Sequence, residues 1–229
     1  MSDADLTKIA LSDAPFDIAL SPPFLTARFP QPQRTLGWTL LQPGFATARE
    51  IVWVEVRNSD LTLDVDPEKF LRARLAEAGS PDALAFMTSR TIAKHHFREI
   101  EVEDVAAACL TTVGLSNGER VGARKRTPAL AGTVNTLVHV SRPLSDGAYV
   151  EALSIAVQAR TAAILETRPA REDKPITGTG TDCVLIAAPC AGTPLSYAGL
   201  HTAVGEALGF AVFEATREGA LAWNAEFLG

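Results

Sequence analysis

Residues 177–189 read TGTGTDCVLIAAP. Gly178 and Gly180 alternate with Thr177, Thr179 and Thr181, Asp182 closes the loop, and an apolar run follows from Cys183 to Ala188. A phosphate cradle places its glycines after a strand and before a helix N-terminus, where backbone amides converge on the anion. Here the glycines precede a strand, so that reading is removed. The run itself lacks polar alternation, which predicts a central strand covered on both faces. Asp182, at the entrance to a buried strand, must be paired or must accept hydrogen bonds from its own loop. Capping the loop and orienting a catalytic group both stay open for it.

Working outward, Pro189 and Pro194 precede a long helix expected from near Tyr197, with Leu200, Val204, Leu208, Ala211, Val212 and Ala215 at helical spacing. On the other side, GTVNTLVHV (132–140) is β-rich and leads through a proline loop to a helix over 148–165, with Ser145 as N-cap. That helix is apolar around most of its circumference and is expected to pack on both sides. The two stretches echo each other as strand, proline loop, tyrosine, helix. TRPAREDKP (167–175) between them reads as a polar loop.

The first third reads as an antiparallel meander: FLTARF (24–29), a PQPQ turn, RTLGWTLLQPG with Leu36, Trp38 and Leu40 alternating, and EIVWVEVRN (50–58). Asp66-Pro67-Glu68 starts a helix that Gly79 and Pro81 end. ALAFMTSR (83–90) returns as a strand, and a strand or strand pair then runs to a turn at Asn117-Gly118. The expected organisation is one domain over 1–229: strand-rich 15–60, helix 67–79, strand–helix units 83–218. Few early helices and many late residues in helix fit α+β better than regular βαβ alternation.

With 47% hydrophobic and 21% charged residues the chain is ordinary globular material, and 229 residues suffice for one sizeable core. A net charge of -6 argues against a nucleic-acid or anionic-membrane partner. The basic run Arg124-Lys125-Arg126 reads as a solvated loop. Cys109, Cys183 and Cys190 have neither disulfide-framework nor zinc-knuckle spacing. No signal peptide or membrane-spanning run is legible, so a cytoplasmic location is expected.

Four polar clusters sit where elements begin or end, the usual place for sites: Thr112 to Asn117, Thr133 to Asn135, Thr177 to Asp182, and Ser196 to His201. Hydroxyls, carboxamides and glycines dominate them, which suits a neutral, amide-rich ligand. His201 is expected in the first turn of the last helix, where the dipole keeps imidazole neutral and able to accept a proton. The rival role for it is a hydrogen bond to a neighbouring loop. His139 reads as structural, adjacent His95 and His96 point apart, and Glu206 lies about 140° around the helix from His201. No metal site and no G-x-S-x-G elbow emerges.

VGLSNGERVG (113–122), GTVNTLVHVSRPLSDGAYVEAL (132–153), TGTGTDCVLIAA (177–188) and YAGLHTAVGEALGFAVFEA (197–215) together resemble the adenosylcobinamide amidohydrolase family of corrinoid salvage enzymes. The resemblance covers most of the chain from about residue 84 to 215. It implies hydrolysis of the amide joining the aminopropanol arm to the corrinoid ring, giving adenosylcobyric acid, with the corrinoid as substrate and no cofactor required. The metal requirement and homo-oligomerisation stay open. For the fold it implies mixed β-sheets covered by helices, with an αββα sandwich as one arrangement. Within that expectation His201 is base and acid, oriented by Asp182, and Asn117 or Asn135 donates to the oxyanion. Ser116, Thr133, Thr179, Gly180, Thr181 and Tyr197 contact substrate. A covalent variant has Thr133 or Ser116 as nucleophile, by similarity to folds of the ornithine acetyltransferase type. The alternatives in function are a non-hydrolytic corrinoid-binding protein and an amidohydrolase acting on another amide, such as that of pseudocobalamin.

Overall fold

The computed structural model describes residues 14–123, 132–167 and 175–228. The basic run 124–126 and most of the loop 167–175 lie outside the described residues. In chain order the elements are β1 (Asp17–Ser21), β2 (Phe24–Gly37), β3 (Gly44–Glu55), α1 (Pro67–Glu77), β4 (Leu84–Thr88), β5 (His95–Val102) and β6 (Val105–Val113). They continue with β7 (Gly118–Glu119), β8 (Val134–Val140), α2 (Asp146–Thr167), β9 (Gly178–Thr179), β10 (Cys183–Pro189) and α3 (Ala203–Phe227). Eight strands form one mixed sheet in the order β4-β3-β2-β10-β8-β6-β5, with β1 also on β2, while β7 and β9 pair separately.

Side-chain alternation shows how this sheet is layered. Ile51, Trp53, Leu84 and Phe86 from one half share a buried cluster with Leu110, Leu137, Leu185 and Ala187 from the other, so the halves face each other. The intervening residues Val52, Val54 and Ala85 pack on Leu71 and Leu75 of α1. On the opposite outer face Cys109, Val138, Val184 and Ile186 pack on α2 and α3. The layers therefore run α1, half-sheet, half-sheet, α2 with α3: an αββα order made from a single folded sheet.

The segment expected to be a PQPQ turn makes this possible. Residues 24–37 form one strand, with an irregularity between Arg28 and Gln33 in its register with β3. Before that point β2 pairs with β1, and after it with β10. Proline has no N–H for a ladder, so Pro30 and Pro32 occupy the stretch where the partner changes. The strand also ends earlier than the alternation of Leu36, Trp38 and Leu40 predicts. Trp38 and Leu40 lie beyond Gly37 and are exposed.

The two strand–helix units lie side by side, although Tyr149 is buried inside α2 and Tyr197 is exposed before α3. β8 and β10 are parallel neighbours, and their proline loops meet at the Leu144–Leu195 bridge. Ser145 caps α2 by accepting from the N–H of Ala148 at 3.1 Å, and Asp66 caps α1 by accepting from Glu68 and Lys69. α2 packs on α3 and β10 but leaves Val150 exposed, so it is not covered on both sides along its whole length.

Candidate active site

Three of the four polar clusters converge at one end of the sandwich, and Asp182 is their centre. It stands just before β10, and its carboxylate accepts from the N–H of Thr179 at 2.9 Å, the N–H of Val134 at 3.1 Å and the Thr179 hydroxyl. Arg160 of α2 brings Nη1 to 3.1 Å from Asp182 Oδ2, both side chains being less than 10% exposed. That approach lies off the N–H axis, leaving Arg160 Nε and Nη1 without a directed hydrogen bond. Opposite charge therefore holds the pair. An arginine in the middle of an apolar helix is the signal for it in the sequence. Gly178 is required here, since a Cβ on it would lie 2.4 Å from Asp182 Oδ2.

Around this ion pair the clusters are stitched together. The Thr133 hydroxyl donates to Thr181 O at 2.7 Å, and that of Thr181 to Gly132 O at 3.1 Å. The N–H of Gly180 donates to Asn117 O at 3.2 Å, while β7 and β9 pair Gly118 with Thr179. Gly132 lies so close to the 114–117 turn that a Cβ would meet Asn117 N at 2.8 Å. Trp38, absent from the sequence-based site, donates its indole N–H to Asp182 O at 2.5 Å.

Burial divides the expected site residues. Asn135 is 1% exposed and donates Nδ2 to Met87 O at 2.8 Å, tying β8 to β4 across the sandwich. Thr133 is 5% exposed with its proton engaged. Ser116, Asn117, Thr179, Gly180 and Thr181 retain surface, and the side chains of Ser116 and Asn117 make no hydrogen bond among the described residues. The Asn117 carboxamide lies beside Gly180, where an added Cβ would sit 3.1 Å from Nδ2. Burial pushes the neighbouring Cys183 thiol up to about 11, which keeps it protonated near neutrality.

The fourth cluster stands elsewhere. His201 and Tyr197 are exposed and lie before α3, whose N-cap is Thr202, so His201 is outside the helix and not in its first turn. The segment leading into α3 is tied to the early part of α2 by the N–H of Ala198 donating to Glu151 at 2.7 Å, beyond the C-terminal end of β10. Asp182 lies at the N-terminal end of that strand, whose seven residues, at a rise of ~3.3 Å per step, hold its two ends about 20 Å apart. The expected His201–Asp182 pair is therefore not formed. Sequence distance gave no hint of this, because both residues flank the same strand and its loops.

Among the described residues no group of three or more His, Cys, Asp or Glu is gathered as a metal-binding set. None of the described helices is long and apolar enough to cross a membrane.

The family model described as adenosylcobinamide amidohydrolase matches residues 12–227. The chain belongs to that family. A curated relative from Halobacterium salinarum, named adenosylcobinamide amidohydrolase, is 32% identical over 161 residues. The alignment covers 65% of this chain and 64% of the relative. The family match takes in the N-terminal third, including Trp38, which lies outside the motifs that carry the resemblance.

Proposed function

We propose that this protein hydrolyses the aminopropanol amide of adenosylcobinamide, releasing adenosylcobyric acid and aminopropanol, at the Asp182 end of the sandwich. What supports the place is the convergence of three family-like segments on one bonded cluster; the family supports the reaction. The product then lets a cell re-enter cobalamin synthesis from a scavenged precursor.

Amide hydrolysis needs a placed water or nucleophile, stabilisation of the oxyanion and a proton for the departing amine. Asn117 presents its carboxamide, unbonded among the described residues, beside Gly180 and is the side chain best placed to donate to the amide oxygen. The Thr179 hydroxyl gives its proton to Asp182, so its oxygen lone pairs are left to accept from water or from the substrate amide. Asp182 is engaged by two N–H groups, a hydroxyl and Arg160, and its role is to hold the loop rather than to shuttle a proton. Because Thr133 is buried and bonded, attack by water fits better than a covalent Thr133 intermediate.

The test is turnover of adenosylcobinamide by purified protein, followed by chromatography. Asn117→Ala should lower kcat on the order of 10²-fold, the usual loss for one oxyanion donor, while His201→Ala stays within a few-fold of wild type. Loss of activity in His201→Ala with full activity in Asn117→Ala would move the site to the opposite end. Binding without release of a carboxylated corrinoid would replace hydrolysis by a corrinoid-binding function. Cleavage confined to another amide, such as that of pseudocobalamin, would change the substrate.

A further inference from the structure

Trp38 is the exposed member of the three tryptophans: it is 38% accessible, against 0% for Trp53 and 7% for Trp223. Its position follows from close packing one residue earlier. At Gly37 the backbone of β10 passes so near that a Cβ would lie 2.3 Å from Val184 O, and there the strand ends. The chain then leaves the sheet, and the indole is neither buried nor free. Its N–H is tethered to the carbonyl of Asp182, the last residue of the glycine–threonine loop, and two residues on Leu40 is also exposed. At the other end of the same loop the N–H of Val121, a side chain 82% exposed, donates to the Thr177 hydroxyl at 2.8 Å. Exposed apolar side chains therefore flank both ends of a loop whose middle is polar.

An indole fixed at its N–H edge offers its exposed surface for contact at little further cost in side-chain freedom. Such a surface matches a ligand with a broad apolar body carrying polar arms. Resting on the function proposed above, we infer that Trp38 is a substrate-binding residue whose ring receives the corrin macrocycle, so that the aminopropanol amide reaches Asn117 and Thr179. The contact is made equally in the ground and transition states, because the macrocycle does not change during hydrolysis of its arm. Its loss therefore falls on KM and not on kcat.

The experiment compares Trp38→Ala and Trp38→Phe with wild type in steady-state hydrolysis of adenosylcobinamide, with equilibrium dialysis of the same corrinoid and thermal melts alongside. Trp38→Ala should raise KM and the dissociation constant about tenfold, the scale of a lost aromatic contact, with kcat within about twofold. Trp38→Phe, which keeps a ring but loses the N–H tether, should recover most of the affinity. Unchanged KM and binding in a folded Trp38→Ala protein would overturn the inference. So would a fall in kcat and melting temperature shared equally by both variants, which would mark the tether as purely structural. If wild type binds the corrinoid without hydrolysing it, the amidohydrolase reading fails, and the dialysis series still decides whether Trp38 holds the ring.

Discussion

Asp182 and Arg160 form an ion pair whose side chains are both nearly closed to solvent. Removing one partner of a buried pair leaves an uncompensated charge, which costs about 3–5 kcal/mol. Asp182→Asn should therefore lower stability to urea by about that much, and any loss of turnover must be corrected for the folded fraction. His139 offers a second test at this scale. It lies 5.4 Å from the Phe29 ring, is 7% exposed, and burial lowers its pKa from 6.5 to about 4. Between those values the unfolded chain binds the proton and the folded chain does not, so stability rises with pH across the window and is lost on acidification. Urea midpoints measured at pH 7 and at about pH 5 should differ less in His139→Gln than in wild type. The histidine's structural character was legible from its alternation with apolar neighbours. The engagement of Asp182 was legible only as a demand for partners, because those partners come from residues 134, 160 and 179.

At the scale of elements, local signals located helices and strands well wherever the chain's own chemistry closes them. Asp66-Pro67 begins α1, and Ser145 caps α2. They failed where an element's extent depends on a partner. PQPQ carries turn residues, yet the neighbours of β2 on either side of it draw the chain into one strand. Alternation through Trp38 and Leu40 predicts continued pairing, but the ladder stops at Gly37, where the backbone of β10 leaves no room for a Cβ. Gly37→Ala should consequently destabilise the protein by about 1–3 kcal/mol, the usual cost of overpacking. In Trp fluorescence it should also change the environment of the adjacent Trp38; a variant with wild-type stability and an unchanged spectrum would contradict this close approach.

For the whole molecule, the decisive event is the folding of one sheet onto itself, which places α1 on one outside and α2 with α3 on the other. Asn135 binds the two halves through Met87 O. Leaving that half-buried carbonyl unpaired costs up to about 1–3 kcal/mol, so Asn135→Ala should lower the denaturation midpoint while Asn117→Ala leaves it unchanged. A loss of kcat in folded Asn135→Ala beyond that of Asn117→Ala would instead return Asn135 to the oxyanion role. From sequence alone, the α+β class, the central position of CVLIAA, the paired strand–helix units and the family resemblance could all be determined. Each rests on periodicity, capping or motif order, which are properties of neighbouring residues. Which polar clusters meet was decided by tertiary structure alone. The TGTGTD loop and YAGLHT flank the same strand, but that strand is extended and holds its two ends about 20 Å apart. The sheet instead brings TGTGTD to VGLSN, GTVN and Trp38.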